Sequence, residues 1–505
     1  MPRTPDSPLK QHISQILPGL LIRLLIFKFA ESKLDFFINR PELSTPITSY
    51  KYLNECQALG EKAYESDNCH EIPVFVHLYH YLSQVLYKFG WYQMDKKQAL
   101  YLMIIWIDCL TAWLLGRVGQ KWSIIYNARC NRVLEDYNLG VKKKTEGEEE
   151  EKSKEQEIQH VVFTDSFFVN LYQYNPLAIL GCLSLSSQII YNCLIALFLN
   201  SITEILYNIN QNDEDPIKRS KAKKTILINI LIGSTTFAMI AVGQFYIMQL
   251  LFPIIFLSIF LSDNDSSPSC EIPKKDQQEV LHNQRIRHNL RIFSVAAIIC
   301  SLAYKNLNDN LYPGSVQKSW DFVRFAPDYT PNTGIWWYLI IEMFEHFRDL
   351  FLQVLQVNVF FYALPLSIYF MAPTRTQSSK TYQKDDSILV MLLLTGITAI
   401  FKSYSTLIDL MIPLTLIFAF NKNSPHRKAN FVAATALFIC ICLCPFMWQQ
   451  WVILGRGNSN FFFAVTLGIV ACFSLILGDV VYGHVMMVYR FASGNKEEKL
   501  AFGNL

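Results

Sequence analysis

Three ionisable residues lie close together in the apolar segment WWYLIIEMFEHF, residues 336–347. Glu342, Glu345 and His346 are spaced i, i+3 and i+4, so a continuous helix would carry all three on one face. Two carboxylates beside an imidazole can transfer protons, bind a cation or hold a polar headgroup. The alternative is a polar seam paired with neighbouring helices, with Lys402 as the counter-ion, which is the commoner role of polar groups in apolar helices.

A second polar group lies in FKSYSTLID, residues 401–409. Lys402, Tyr404 and Asp409 combine a cation, hydroxyls and a carboxylate, which suits a phosphorylated glycan headgroup. A snorkelling lysine next to helix-capping hydroxyls explains the same pattern equally simply.

A third group lies in GRGNSNFFF, residues 455–463. The amides of Asn458 and Asn460 both donate and accept hydrogen bonds, as sugar hydroxyls and phosphate esters require, and the glycines let a ligand approach the backbone. A tight turn uses the same residue types, so the spacing leaves both interpretations open.

Basic residues and missing motifs complete the survey of chemistry. Arg285 and Arg287 precede an apolar run, where anionic lipid headgroups bind, although ordinary basic anchoring of a loop is commoner. The sequence has no paired Cys-x-x-Cys motif, no HExxH and no nucleotide-binding or G-x-S-x-G motif. We therefore predict no metal site.

The composition places these groups in a membrane. Of the 505 residues, 51% are hydrophobic and only 17% are charged. The 45 Lys and Arg nearly balance the 42 Asp and Glu, and the formal charge of +3 gives no reason to expect a nucleic-acid partner. The sequence predicts a polytopic membrane protein.

Apolar runs long enough to cross a bilayer recur along the chain and predict an all-α fold with about 12 transmembrane helices. Several runs are short, so tilted or broken helices are expected among them. The predicted spans are residues 13–30, 98–118, 166–184, 187–207, 225–242, 244–261, 292–307, 336–371, 388–402, 407–421, 431–453 and 462–488.

The distribution of Lys and Arg predicts the orientation. Basic residues concentrate in the segments 117–144, 218–224, 285–291, 375–384 and 422–428, which we place in the cytosol. An even number of spans then puts both termini there. The predicted organisation is a cytosolic tail 1–12, spans 1 and 2 in 13–118, a cytosolic loop 119–165, spans 3–6 in 166–261, a cytosolic insertion 262–291, spans 7–12 in 292–488 and a cytosolic tail 489–505. The apolar run near the N-terminus lacks a cleavage pattern and is expected to be retained.

Three further expectations concern the loops. The long loop 31–97 is placed on the luminal side, and within it residues 72–89 have the pattern of an amphipathic interfacial helix. The charged segments 142–157 and 262–284 are expected to be disordered. Whether Cys56 and Cys69 pair in this loop is left open.

Four stretches of the sequence, residues 327–347, 356–366, 401–409 and 457–467, resemble the PIG-U family of subunits of the glycosylphosphatidylinositol (GPI) transamidase complex. Weaker similarity covers residues 40–53, 70–82 and 175–198. The sequence departs from the family pattern at Ser405, where proline is expected, at Phe463, where tyrosine is expected, and in its N-terminal lead and acidic insertion.

The resemblance implies a non-catalytic subunit in the endoplasmic reticulum membrane with an architecture like that of the GT-C glycosyltransferases. Such a subunit holds the GPI lipid, needs no cofactor and works with other subunits, including a cysteine protease on a separate chain. The complex cuts a C-terminal signal from a precursor and joins the new C-terminus to the ethanolamine phosphate of GPI.

The resemblance also indicates which residues bind the lipid. It carries the role of contacting GPI to Asn458 and Asn460, and a weaker lipid-contacting role to Arg285 and Ile286, with Arg287 beside them. The remaining candidates for GPI contact are Lys402, Tyr404, Glu342, Glu345 and His346.

The alternative function is a GT-C mannosyltransferase that uses a dolichol-linked donor. Its chemistry needs a carboxylate in the first luminal loop to act as a base on the acceptor hydroxyl. The available residues there are Asp35, Glu42, Glu65, Asp67, His70 and Glu71. No adjacent acidic pair follows the first span, however, and the inverted repeats of a transporter are not evident either.

Overall fold

The computed structural model describes residues 8–38, 40–65, 69–88, 96–142, 163–210, 216–260, 274–371, 373–375, 381–383 and 386–493. Within these ranges the regular secondary structure is helical except for one short antiparallel hairpin, β1 (Pro373–Arg375) and β2 (Thr381–Gln383), in which Thr374 lies opposite Tyr382. The helical fold class is therefore confirmed, with the hairpin as an addition.

The first half of the chain contains α1 (Pro8–Ala30), α2 (Leu34–Ile38), α3 (Tyr50–Leu59), α4 (Glu61–Glu65), α5 (Pro73–Lys88), α6 (Lys96–Lys142), α7 (Asp165–Gln173), α8 (Pro176–Leu183), α9 (Gln188–Asn210) and α10 (Pro216–Gly243). The second half contains α11 (Leu251–Phe260), α12 (Lys274–Leu311), α13 (Ser315–Phe325), α14 (Trp336–Ile341), α15 (Glu345–Phe361), α16 (Ala363–Met371), α17 (Ser387–Phe401), α18 (Met411–Leu416), α19 (Asn430–Trp448) and α20 (Ser459–Ser493). Short 3₁₀ segments connect several of them, at Glu31–Lys33, Phe245–Leu250, Leu407–Leu410 and Ile417–His426.

Seven helical stretches of the described chain are long and apolar enough to cross a membrane. They are Lys96–Cys130, Gln188–Asn208, Ser220–Gly243, Gln284–Leu311, Glu345–Met371, Asn430–Ile453 and Ser459–Tyr489. Shorter apolar helices lie at Phe245–Ile259 and Ser387–Phe401. The chain is a multi-pass membrane protein, while the count of 12 spans and the GT-C architecture stay predictions.

The predicted span 166–184 is not one helix. It divides into α7 and α8 because Asn175 adopts an extended conformation and its side-chain oxygen accepts the N–H of Leu177 at 3.0 Å. Pro176 then occupies the first turn of α8, where a missing N–H costs nothing. The asparagine and proline therefore end one helix and begin the next.

The predicted spans 336–371 and 407–421 are also broken. Phe344 is extended (φ −63°, ψ 134°) and separates α14 from α15. In the second case the 3₁₀ segment Ile417–His426 follows α18, and Phe420 within it is not helical (φ −98°, ψ 41°). Hydropathy alone detects neither break, because Phe344 and Phe420 are themselves apolar.

The prediction of disorder is wrong for part of the second charged insertion. Helix α12 begins at Lys274, so residues 274–284 are helical, and α6 likewise continues through Lys142. Residues 143–157 and 262–273 lie outside the described chain.

The core centres on α17, in which 14 of the 15 residues, Ser387 to Ile400, are buried. A buried ion pair joins two other helices, because Arg23 of α1 donates to Asp108 of α6 at 2.9 Å and 2.5 Å. The Tyr172 hydroxyl donates to the second Asp108 oxygen at 2.8 Å, and Arg23 also donates to the Gln173 carbonyl at 2.9 Å. These bonds satisfy two charges that would otherwise be costly to bury.

The described parts of the loop 31–97 fold against the helices. Its predicted amphipathic helix is present as α5, with Phe75, Val76 and Tyr79 buried. Cys56 and Cys69 form a disulfide with their Cα atoms 5.0 Å apart, which answers the question left open by the sequence. The location of α5 at a membrane interface stays a prediction.

Candidate functional site

The four sequence stretches 327–347, 356–366, 401–409 and 457–467 meet in one region of the structure. The contacts that join them are Gln356 Nε2 to Ser403 Oγ at 2.9 Å, the Thr333 N–H to the Ser405 carbonyl at 3.2 Å, and the Trp337 ring to the Phe462 ring at 6.1 Å between centroids. Segments that are far apart in sequence therefore form one site. The Ser405 contact uses a carbonyl, which the proline expected there would also supply.

Asn458 ends the turn before α20 and Asn460 is the second residue of that helix, and both side chains are exposed. The Asn458 side-chain oxygen accepts the Asn460 N–H at 3.1 Å. Gly455 has φ +61°, which favours glycine, and the N–H groups of Arg456 and Gly457 donate to the Gln450 carbonyl at 2.9 and 3.1 Å. The turn is thus fixed by its own hydrogen bonds and still presents both amides.

Tyr338 of α14 lies next to this turn. Its hydroxyl donates to the Asn460 side-chain oxygen, and its ring stacks on Phe463 with centroids 4.4 Å apart. Glu342 follows the last residue of α14, one helical turn beyond Tyr338. The structure therefore joins Asn460 to α14 through a tyrosine that the sequence analysis did not single out.

A cluster of aromatic rings packs next to the turn. The Trp337 ring lies 6.2 Å from Trp451 and 6.1 Å from both Phe462 and Phe463, between centroids. Trp448 packs edge-on against Trp451 at 5.5 Å. These large rings hold α14, α19 and α20 in a fixed arrangement around the exposed amides. The sequence feature that indicates this cluster is the Trp-Trp-Tyr triplet, residues 336–338, which is not found by looking for ionisable residues.

Glu345 and His346 do not share a helix with Glu342. Glu342 follows the end of α14, whereas Glu345 is the first residue of α15, so the prediction of three residues on one helical face is wrong. All three side chains are exposed. The extended conformation of Phe344 between them is the physical reason.

Lys402 is not the counter-ion of those residues. Its ammonium donates to Asp409 at 2.7 Å and lies 3.5 Å from the Gln188 side-chain oxygen. Lys402 and Asp409 are 7% and 8% exposed, so this is a buried ion pair. The structure gives Lys402 a partner within its own sequence motif.

Tyr404 is buried and engaged within the protein. Its hydroxyl donates to the Asp328 carbonyl at 3.1 Å, and its ring stacks on Phe322 with centroids 5.1 Å apart. Phe322 stacks in turn on His70 at 3.5 Å, which ties the first loop to this region. Both Lys402 and Tyr404 thus belong to the scaffold beside the exposed turn.

The basic candidates lie elsewhere, on α12. Ile286 is 4% exposed and packs in the main hydrophobic core, whereas Arg285 is exposed and Arg287 is half-buried. The Ile286 side chain faces the protein interior, so only the two arginines lie where a headgroup can reach them.

Three candidate carboxylates of the first loop, those of Asp35, Glu42 and Glu71, have partners within the protein, whereas Glu65 is exposed and Asp67 lies outside the described residues. Asp35 pairs with Lys97 at 2.8 Å, and Glu42 is buried 3.7 Å from Arg40. Glu71 is fully buried and accepts the Tyr191 hydroxyl at 2.8 Å, and desolvation raises the pKa of its carboxyl to about 8. A carboxyl that is protonated near neutral pH is not the ionised base that a mannosyltransferase requires.

Within the described ranges, no group of three or more His, Cys, Asp or Glu side chains is arranged to hold a metal ion. The site therefore consists of the exposed amides of Asn458 and Asn460 and the exposed carboxylate of Glu342, next to a cluster of packed aromatic rings.

Fold and site together define a multi-pass membrane protein with an exposed polar surface built from helix-connecting turns. The chain belongs to the PIG-U family, since the family model "GPI transamidase subunit PIG-U" matches residues 17–469. This confirms the resemblance seen in the four stretches.

Similar proteins with a known description support this family membership. The chain is 26% identical over 493 residues to the "GPI-anchor transamidase component PIGU" of Mus musculus, covering 95% of this chain and 94% of the relative. The protein of the same description from Homo sapiens is 25% identical over the same shares of both chains. The "GPI transamidase component GAB1" of Saccharomyces cerevisiae is 24% identical over 63% of this chain and 66% of the relative.

Proposed function

We propose that this chain is a non-catalytic subunit of a GPI transamidase that binds the GPI lipid and presents it for attachment to the C-terminus of precursor proteins. Membership of the PIG-U family supports the complex, and the exposed Asn458 and Asn460 amides at the meeting point of the four stretches carry the proposal of lipid binding. Bond cleavage and formation belong to a cysteine protease subunit on a separate chain.

The exposed apolar faces of α15 and α20 suit an amphiphilic ligand. Leu350, Val354 and Val357 of α15 are 60%, 54% and 62% exposed, and Leu467 of α20 is 48% exposed. Acyl chains lie along such apolar faces, while amide groups bind the headgroup at the end of the helices. The contribution of the chain is then to position the reacting amine, an effect worth several kcal/mol as an order of magnitude.

The disulfide supports the proposed location. Disulfides form in oxidising compartments such as the lumen of the endoplasmic reticulum, and Cys56 and Cys69 lie in the loop that the charge pattern places there. We therefore place the chain in the endoplasmic reticulum membrane with the Asn458 turn on the luminal side and both termini in the cytosol.

Replacement of both asparagines tests this function. In cells that lack the endogenous subunit, the double variant Asn458→Leu/Asn460→Leu should lower the surface level of a GPI-anchored reporter at least about fivefold, because two or more hydrogen bonds to the ligand are lost. Because Asn458 caps α20, the variant Asn458→Ser/Asn460→Leu, which keeps a capping oxygen, should give the same loss. Flow cytometry measures the reporter.

The matched control is Asn306→Leu/Asn310→Leu, which removes two exposed asparagines from the end of α12. It should leave the reporter at the wild-type level. Normal GPI attachment by the Asn458/Asn460 variants at equal protein level would refute the assignment of the site.

A further inference from the structure

The first helix, α1, has one polar face and one apolar face. Gln15, Gly19 and Arg23 follow one another at intervals of four residues, so they lie on the same side of the helix. The other side carries Leu17, Leu21, Leu25 and Phe29, which are 47%, 50%, 59% and 83% exposed. The apolar side can face lipid, whereas the polar side needs partners within the protein.

The polar face of α1 packs against α7. The Gln15 side-chain amide donates to the Ser166 hydroxyl at 2.7 Å, and the Gln173 side-chain amide donates to the Gln15 carbonyl at 3.0 Å. Gly19 lies directly against the Gln173 side chain, where a larger residue would force that side chain to move. The polar face of α1 is therefore matched to specific groups of α7.

Arg23 lies in the middle of the predicted span 13–30 and completes this contact. Besides its two bonds to Asp108, the guanidinium donates to the carbonyls of Gly19 at 3.2 Å and Gln173 at 2.9 Å. The Arg23 and Asp108 side chains are both 0% exposed, and Asp108 lies within the apolar stretch Lys96–Cys130. The pair is thus enclosed by protein at a depth where an isolated charge is costly.

The order of synthesis leaves Arg23 without its counter-charge at first. Asp108 follows Arg23 by 85 positions, so α1 leaves the ribosome well before the middle of α6. A lone arginine near the middle of a helix disfavours transfer of that helix into the bilayer, even though its long side chain can reach toward the interface. Asp108 removes this cost because it supplies the opposite charge and accepts two hydrogen bonds.

We propose that α1 becomes stably inserted in the membrane only together with α6, and that the Arg23–Asp108 pair is the contact that couples the two helices. The pair thereby commits the intervening loop 31–97 to the luminal side. This inference concerns how the chain acquires its topology, and it does not depend on the proposed function.

Two N-glycosylation acceptor sites report the topology of α1 in the full-length chain. Gln57→Asn/Leu59→Thr creates an acceptor in the loop, at one half-buried and one exposed position, and Asp6→Asn/Pro8→Thr creates one in the N-terminal tail. When α1 spans the membrane, the loop acceptor is glycosylated and the tail acceptor is not. Gel mobility before and after removal of the glycans gives the correctly inserted fraction.

The two partners of the ion pair should behave differently. Asp108→Leu should lower the correctly inserted fraction at least about twofold, because Arg23 then lacks its counter-charge. Arg23→Leu breaks the same pair but should leave the fraction at the wild-type level, since α1 then carries no charge at its centre. Arg23→Leu/Asp108→Leu should likewise insert correctly. A purely structural role of the pair predicts equal effects of the two single variants.

The inserted fraction is a ratio within each variant, so a lower yield of folded protein does not obscure it. Asp108→Glu, which keeps the charge, should retain most of the insertion. Wild-type topology of Asp108→Leu, an equal loss in both single variants, or failure of the double variant to recover would each overturn the inference. An unmodified loop acceptor in the otherwise wild-type chain would also overturn it, because the loop would then not be luminal.

Discussion

At the scale of single residues, the sequence identified the chemical groups more reliably than their partners. Lys402 and Asp409 were recognised as members of one polar motif, but Lys402 was also assigned to the Glu342 cluster. The chain leaves helical geometry at Lys402, where ψ is 152°, and the following turn returns Asp409 to within 2.7 Å of its ammonium. That return depends on local backbone geometry, which residue types alone do not specify.

The Lys402–Asp409 pair should stabilise the protein and not bind lipid. Lys402→Met leaves a buried carboxylate without its cation, and should cost about 3 kcal/mol of stability. The double variant Lys402→Met/Asp409→Asn should recover part of this loss, because the remaining amide is neutral and still accepts from the Thr406 N–H, now bonded at 2.8 Å. Thermal unfolding in mild detergent measures both variants.

The control for this pair is Lys28→Met, which removes an exposed lysine from α1. It should unfold at the wild-type temperature. Wild-type stability of Lys402→Met combined with loss of bound GPI would instead make Lys402 a ligand contact.

At the scale of elements, long uninterrupted apolar helices were predicted well. The spans 187–207, 225–242 and 462–488 correspond to α9, α10 and α20. The predicted spans that failed contain Asn175–Pro176, Phe344 or Phe420, where capping or a non-helical residue interrupts an apolar run. Hydropathy measures transfer of side chains into a bilayer and is insensitive to such backbone breaks.

Because of Glu71, the stability of the junction between the first loop and α9 should depend on pH. Its buried carboxyl accepts from Tyr191, and burial raises its pKa from 4.5 to about 8, so the folded chain binds this proton more tightly than the unfolded chain. Its contribution to stability is thus complete below pH 4.5 and is lost as the pH rises to about 8. Glu71→Gln should flatten the decline of the thermal midpoint between about pH 5 and 8.

The readout is the difference between variant and wild-type midpoints at each pH, since other groups titrate in both proteins. Glu65→Gln, at an exposed position in the same loop, serves as the control and should follow the wild-type curve. A Glu71→Gln curve parallel to wild type would show that this carboxyl is not buried as described.

At the scale of the whole molecule, the sequence listed separate polar clusters, and the fold determines which of them meet. Tyr338 and Asn460 are 122 positions apart, and only the packing of α14 against the start of α20 makes them neighbours. The extended backbone at Phe344 separates Glu345 and His346 from Glu342, and packing against Phe322 holds Tyr404 in the interior. The resemblance to the PIG-U family indicated the asparagines, but not the tyrosine of α14 that donates to Asn460.

The central claim is that the turn at Asn458 and Asn460 holds the GPI lipid within the complex. The most direct measurement is the amount of GPI extracted per purified complex, quantified by mass spectrometry for wild type and for Asn458→Ser/Asn460→Leu. We predict that the variant retains its partner subunits and loses most of the bound GPI. An intact variant complex with the wild-type amount of GPI would contradict the account.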